Sequence, residues 1–190
     1  MPNLDFTKFS PEQGKLLLSE PFMYDPFFKR TVILLTMHNI KGTIGFIINR
    51  PLKMKLGQII KELSECELPV YFGGPIQNKS LFYIHTLGNV IPDSIPVFNG
   101  LFWSGNFETI KDLIKENKIT ENEICFFIGY SGWFSNQLED EIKQNSWIVA
   151  PASTNVIFGK EREKLWQDVL KSMGNDYSIL ANFPENPQLN

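Results

Sequence analysis

The stretch FFIGYSGWFSNQLEDEI, residues 126–142, runs from apolar residues into Gly129-Tyr130-Ser131-Gly132 and then into helix-forming sequence. Its reading decides both the fold and the chemistry. A serine on a sharp strand-to-helix turn is how many hydrolases present a nucleophile. That elbow needs Gly-x-Ser-x-Gly, because a second small residue lets the helix pack closely behind the serine. Here Trp133 stands beside Gly132 where the pattern calls for its last glycine. A serine nucleophile also needs a base. The two histidines, His38 and His85, both precede Ser131, against the Ser, acid, His order of α/β-hydrolases. The stretch therefore reads as a strand, a tight turn whose glycines allow unusual backbone angles, and a helix starting at Ser135 or Asn136. Ser131 is a turn residue in this reading, Trp133 anchors the loop, and no catalytic residue is assigned.

Upstream, KLLLS (15–19) reads as a strand and EPFMYDPFFKR (20–30) as a loop, too rich in proline and bulky aromatics for regular structure. TVILLT (31–36) and TIGFIIN (43–49) are apolar almost throughout, as strands buried on both faces are. Asn39 and Gly42 between them supply turn chemistry for a hairpin. LGQIIKELS (56–64) sets Leu56, Ile59, Ile60 and Leu63 at helical spacing. VYFGG (70–74), LFYIHT (81–86) and GLFWSG (100–105) read as strands, and 88–99, with Pro92 and Pro96, as an irregular connection. Asn106 is placed to cap a helix over 107–117 with Ile110, Leu113 and Ile114 on one face.

Downstream, Asn136 and Glu139 have capping-box spacing. SWIVA (146–150) reads as a strand. Residues 161–173 read as a last helix, with Leu165, Val169 and Met173 inward and Gly174 as its stop. Strands cluster early and helices come later without regular alternation. That predicts a single α+β domain over residues 1–174. Residues 175–190 read as a polar, proline-bearing tail, mobile at least at its end.

The chain has 190 residues, 43% hydrophobic and 21% charged, with a net charge of -3. Such a surface offers no global field for nucleic acid or an anionic bilayer. Its lysines are interleaved with acids, and no basic recognition helix follows a short turn, so direct DNA binding is not expected. Cys66 and Cys125 form no CxxC, and Cys125, inside ICFFIG, reads as a small buried hydrophobe. Neither a signal peptide nor a membrane-length apolar run is evident, which points to a cytoplasmic protein.

His38 and His85 lack the spaced partners of a metal site. The glycines of YFGGPI do not lead into a phosphate loop. No metal or cofactor is expected. Glu139-Asp140-Glu141 reads as a solvated helix face near its N-terminal end. INRP (48–51) puts Asn49 and Arg50 at the end of a deeply apolar strand. Such a place holds either a hydrogen-bond network to the FGGP loop or the floor of a ligand cleft.

Taken in order, GKLLLSEPFMYDPFFKRTVILLTMHNIKGTIGFIINRPL, VYFGGPI, LFYIH and IGYSGWFSNQLEDEIKQNSWIVAPA resemble the YqgE/AlgH family of bacterial proteins over about residues 14–152. The matching positions include Asp25, Pro26, Arg30, His38, Asn49, Arg50 and Pro51. Gly73, Gly74, Pro75 and His85 match further blocks, and Gly129, Gly132, Trp133, Gln137, Leu138, Glu139 and Trp147 match the stretch first quoted. Met37 and the asparagine-bearing tail depart from the pattern. The resemblance implies a curved, half-barrel-like mixed sheet with flanking helices, a cytoplasmic bacterial protein, and the label of a transcriptional regulator. It brings no established reaction, and it implies that alanine is tolerated at the Ser131 position.

The function expected is that of a non-enzymatic regulatory or binding protein acting on a protein partner or small ligand. Its surface would form where the INRP, FGGP and YSGW loops converge. The candidates are Arg30, His38, Asn49, Arg50, Gly73, Gly74, His85, Tyr130, Trp133, Gln137 and Glu139. The alternative is an enzyme using His38 or His85 as an acid-base group with Asp25 or Glu139, in a cleft near Asn49, Arg50 and Ser131.

Overall fold

A computed structural model describes residues 8–184. The apolar runs become strands β1 (Leu16–Ser19), β2 (Val32–Asn39) and β3 (Gly42–Ile47). β2 and β3 form the expected hairpin. The Asn39 side chain accepts the Lys41 N–H across its turn, and Gly42 takes a φ of 138°. Next come β4 (Pro51–Lys55), β5 (Pro69–Phe72), β6 (Ile76–His85), β7 (Ile95–Phe98) and β8 (Leu101–Trp103). Helix α1 (Phe107–Lys115) follows, with Asn106 capping it through the Thr109 N–H as expected. The long strand β9 (Ile124–Phe134), α2 (Gln137–Lys143), β10 (Trp147–Ala150), α3 (Thr154–Ile157), α4 (Leu165–Ser172) and α5 (Asn175–Ala181) complete the chain.

The fold is a single α+β domain built on one open sheet, ordered β10-β1-β2-β3-β9-β6-β8-β7, with β5 lying between β4 and β9. All pairs are antiparallel except β5 with β9. The sheet curls strongly. β2 and β7 are five spacings apart in this order, about 24 Å if flat. Yet Gly14, whose N–H binds the β2 carbonyl of Leu35, lies so close to β7 that a Cβ there would sit 3.1 Å from Phe98. Gln13 also donates its amide to the carbonyls of Pro96 and Val97, covering part of the β7 edge.

One face of the sheet carries a continuous core from Leu16, Leu34 and Phe46 to Val97 and Leu101, closed by Trp166, Val169 and Leu170 of α4. The opposite face is divided. α2 covers Leu17, Ile33 and Trp147 with Leu138 and Ile142, and α1 covers Val70 and Phe126 with Ile110.

Several expectations are corrected. Residues 56–64 form two short 3-10 turns, Leu56–Gln58 and Lys61–Leu63, not a helix. The Leu56 and Gly57 N–H groups bind the Leu68 and Cys66 carbonyls, and Ile60 between the turns is extended. Within 88–99 Ile95–Phe98 pairs as β7, a sheet edge that tolerates Pro96. The last long helix starts at Leu165, after a turn at 162–165 closed by the Leu165 N–H on the Arg162 carbonyl. Asn136 makes no side-chain cap. It sits at φ 62°, and the Gln137 side chain accepts the Phe134 N–H instead. Residues 175–181 are helical, with Tyr177, Leu180 and Ala181 in the core, so the packed domain extends past 174. The expected mobility of the final residues, 185–190, lies outside the described residues. No helix among the described residues is long and apolar enough to cross a membrane.

Candidate functional site

The Gly-Tyr-Ser-Gly stretch is not a turn. β9 runs through it without interruption. What changes at Gly129 is the partner. Residues 126–128 pair with β5, and residues 131–134 pair with β3 on that same edge. Gly73 sits at the changeover. Its N–H binds the Ile128 carbonyl, and its own carbonyl accepts the Ile47 N–H and the Ser131 hydroxyl. Gly129, at φ 71°, also reverses the alternation of side chains. Cys125 and Phe127 face the continuous core before it, and Tyr130 packs against the same core after it.

Glycine is required here by close approach. A Cβ on Gly73 would lie 2.2 Å from the Gly129 carbonyl, and one on Gly74 would lie 2.3 Å from the Tyr130 backbone. Ser131 is fully buried, its hydroxyl directed at a carbonyl. It presents no nucleophile to solvent.

Asn49 and Arg50 bind mainly elsewhere. The Asn49 amide bridges the Arg30 carbonyl and the Val32 N–H, and Arg50 donates to the carbonyls of Pro26 and Lys29. Their side chains thus secure the 25–31 loop, while the backbone bond from Phe72 to Arg50 ties INRP to FGGP and that from Ile47 to Gly73 ties the end of β3 to it. Arg30 donates to the Phe183 carbonyl and lies over Trp166, 4.7 Å from the ring centre. Asn49, Arg50, Gly73, Gly74 and Tyr130 are therefore linked through one strand junction.

His38, Trp133, Gln137 and Glu139 form a second group, where α2 docks on the sheet. His38 Nδ1 lies 2.7 Å from Thr43 Oγ1, and its Nε2 is 3.5 Å from Glu139. Carboxylate, imidazole and hydroxyl in series look catalytic, but Thr43 is 3% exposed and pairs with Trp133 inside the sheet. Glu141 was not singled out by the sequence. Its carboxylate accepts both indole N–H groups, Trp133 at 2.9 Å and Trp147 at 2.7 Å, and the Gln137 amide. The run read as solvated thus holds the bond that fastens α2.

His85 stands apart from both groups. It is fully buried, stacked on Phe102, accepting the Leu87 N–H at Nδ1 and facing the Ser104 carbonyl with Nε2. That pattern describes a neutral imidazole. Burial pushes its pKa below the ordinary value, against a smaller opposing effect of the Ser104 carbonyl. Among the described residues the two histidines share no hydrogen-bond partner, His38 binding Thr43 and Glu139 and His85 facing Leu87, Ser94 and Ser104. No group of three or more His, Cys, Asp or Glu among the described residues could hold a metal ion.

The sequence also gave no hint of Arg162. It is 7% exposed, donates to the Ile48 carbonyl and to the Cys125 sulfur, and lies 5.0 Å from the centre of the Tyr71 ring. It lines a cleft of about 340 Å³ beside Pro51 of the INRP segment.

The sequence profile of the AlgH-like family matches residues 16–178. A UPF0301 protein of Chlorobium limicola is 41% identical over 186 residues, 98% of this chain and 98% of that protein. Another from Bacteroides fragilis is 41% identical over 181 residues, covering 95% and 92% of the two chains. The solution structure of the AlgH protein from Pseudomonas aeruginosa superposes with a TM-score of 0.73 at 27% identity, over 93% of this chain and 97% of that one. A crystal structure of a Corynebacterium diphtheriae protein has a TM-score of 0.78 at 22% identity, over 96% and 100%, which is a likeness of fold. From profile, relatives and architecture together, the chain belongs to the AlgH-like family.

Proposed function

We propose that this protein is a non-enzymatic binding protein with a regulatory role. It acts on a small ligand or protein partner through the surface beside the Arg50–Pro51 end of the strand junction. One observation carries the reading. The groups that could have done chemistry are engaged in holding the fold: Ser131 on the Gly73 carbonyl, His85 on Leu87 and Ser104, His38 between Thr43 and Glu139. Function then falls to a surface, and the cleft at Pro51 and Tyr71 adjoins the motif residues. The net charge of -3 supports a regulatory route that does not run through direct DNA contact. Unpaired Cys66 and Cys125 fit a reducing cytoplasm.

The experiment is a turnover screen of the full chain with ester, amide and phosphoester substrates, run beside His38→Gln. No turnover above the variant is expected. Turnover that disappears in His38→Gln at an unchanged melting temperature contradicts the proposal and favours an acid-base enzyme.

A further inference from the structure

Arg162 is a charged side chain more than nine-tenths buried, and among the described residues it has no carboxylate partner. Its Nε–H makes no hydrogen bond. Buried charges are paired or they are costly, so the neutral contacts around this one need explaining. Its closest polar neighbours do not supply the missing charge. Burial pushes the Cys125 thiol up to about 11 despite the adjacent guanidinium, and the Tyr71 phenol is likewise raised by burial. Both remain neutral near pH 7.

Arg162 also does not face a closed interior. It lines the cleft of about 340 Å³, with Pro51 and Tyr71 as an apolar wall and Lys160 and Lys164 at the rim. Glu161 and Glu163 share that rim, and Glu161 lies 3.7 Å from Lys164. Three cations against two acids leave the lining one positive charge in excess. The volume is at the small end of ligand sites.

We infer that this cleft binds a small organic oxyanion, a carboxylate or phosphate set against Arg162 and the two rim lysines, with its apolar body on Tyr71 and Pro51. Glu121 acts on Cys125 and Tyr71 only through its charge, so an oxyanion would supply the directly paired negative charge that Arg162 lacks among the described residues. A guanidinium recognises such groups by charge-assisted hydrogen bonds. The inference rests on the binding-protein reading and names the ligand class of that surface.

The test is calorimetric titration of the full chain at low salt with benzoate and phenyl phosphate, and with inorganic phosphate as the head group alone. Saturable binding of benzoate or phenyl phosphate, tighter than inorganic phosphate, is expected, and the tighter of the two identifies the head group. Arg162→Met should abolish binding. Because that variant could lose its fold, Lys160→Ala/Lys164→Ala is measured beside it. Both lysines are exposed, and the pair should weaken binding about tenfold, equivalent to about 1.4 kcal/mol, at an unchanged melting temperature. Absence of binding to all three probes overturns the inference and leaves the binding-protein reading standing. Binding unaffected by the lysine pair places the anion elsewhere and also overturns it.

Discussion

At the end of β5, Gly73 and Gly74 press against Gly129 and Tyr130 so closely that no side chain fits between them. Two residues earlier on the same strand, Tyr71 borders an open cleft in which Arg162 has no carboxylate partner among the described residues. The first region has the motif that looks catalytic, and its polar groups are satisfied within the fold. The second comes from GKEREK, a segment that looks like ordinary solvated surface, and it is the one with unfinished electrostatics. Small residues close a junction, and a buried unpaired charge opens a site. The glycine-serine motif is architecture, and the proposed binding site lies beside it.

The largest effect should come from breaking the junction. Gly74→Ala adds a Cβ 2.3 Å from the Tyr130 backbone at a φ of 151°. Backbone cannot move aside as a side chain can, so a loss of about 3 kcal/mol or more is expected. Urea denaturation would show it as a collapsed midpoint or as no folded protein. A wild-type midpoint would mean that the junction is looser than described.

Trp133→Ala comes next, at roughly 3–5 kcal/mol. The indole is buried, packs edge-on to Trp147 and bonds Glu141. Glu141→Ala should cost about 2 kcal/mol by leaving two indole N–H groups without their acceptor. Indole fluorescence would follow both variants through unfolding.

Ser131→Ala should cost only about 1 kcal/mol. The Gly73 carbonyl that accepts the hydroxyl keeps its bond from Ile47. A serine variant as damaging as Trp133→Ala would break the contrast between anchor and bystander.

The smallest effect is a pH slope. His85 has a folded pKa below its unfolded value of 6.5. Its contribution is therefore fully present above pH 6.5 and is lost as pH falls toward the folded pKa. Its neighbours Ser94, Ser104, Phe102 and Tyr83 are uncharged near neutral pH. His85→Gln should flatten the loss of stability between pH 6.5 and about pH 5, above the range in which carboxylates titrate. Unchanged acid sensitivity in melts of the variant would contradict the buried neutral imidazole.

Much of the scaffold was legible because it is encoded locally. The runs at 15–19, 31–36 and 43–49 are apolar almost throughout and became strands, and Asn106 announces its helix. The errors arose where a distant partner decides. β9 continues past Gly129 because β3, far earlier in the chain, pairs with residues 131–134. Residues 56–64 had a helical pattern, but their backbone groups bind residues 66 and 68.

Of the loops expected to form one surface, INRP and FGGP meet through the Phe72–Arg50 backbone bond and Gly74 abuts Tyr130, whereas Trp133 packs under α2 with Trp147 and Glu141. Glu141 and Arg162 were hidden in charge runs, and nothing local sets the buried Arg162 apart from its solvated neighbours. For Glu141 a signal existed: it lies three residues after Leu138 and next to Ile142, on the margin of the buried helix face.

The contrast between the closed junction and the open cleft is tested most directly by one measurement. Uniformly ¹⁵N-labelled protein is titrated with phenyl phosphate, and the backbone amides are followed residue by residue. The account predicts that Tyr71, Lys160, Arg162 and Lys164 shift while Gly129, Ser131, His38 and His85 stay in place. Largest shifts at Gly129, Ser131 and Trp133, with the Arg162 cleft silent, would contradict it.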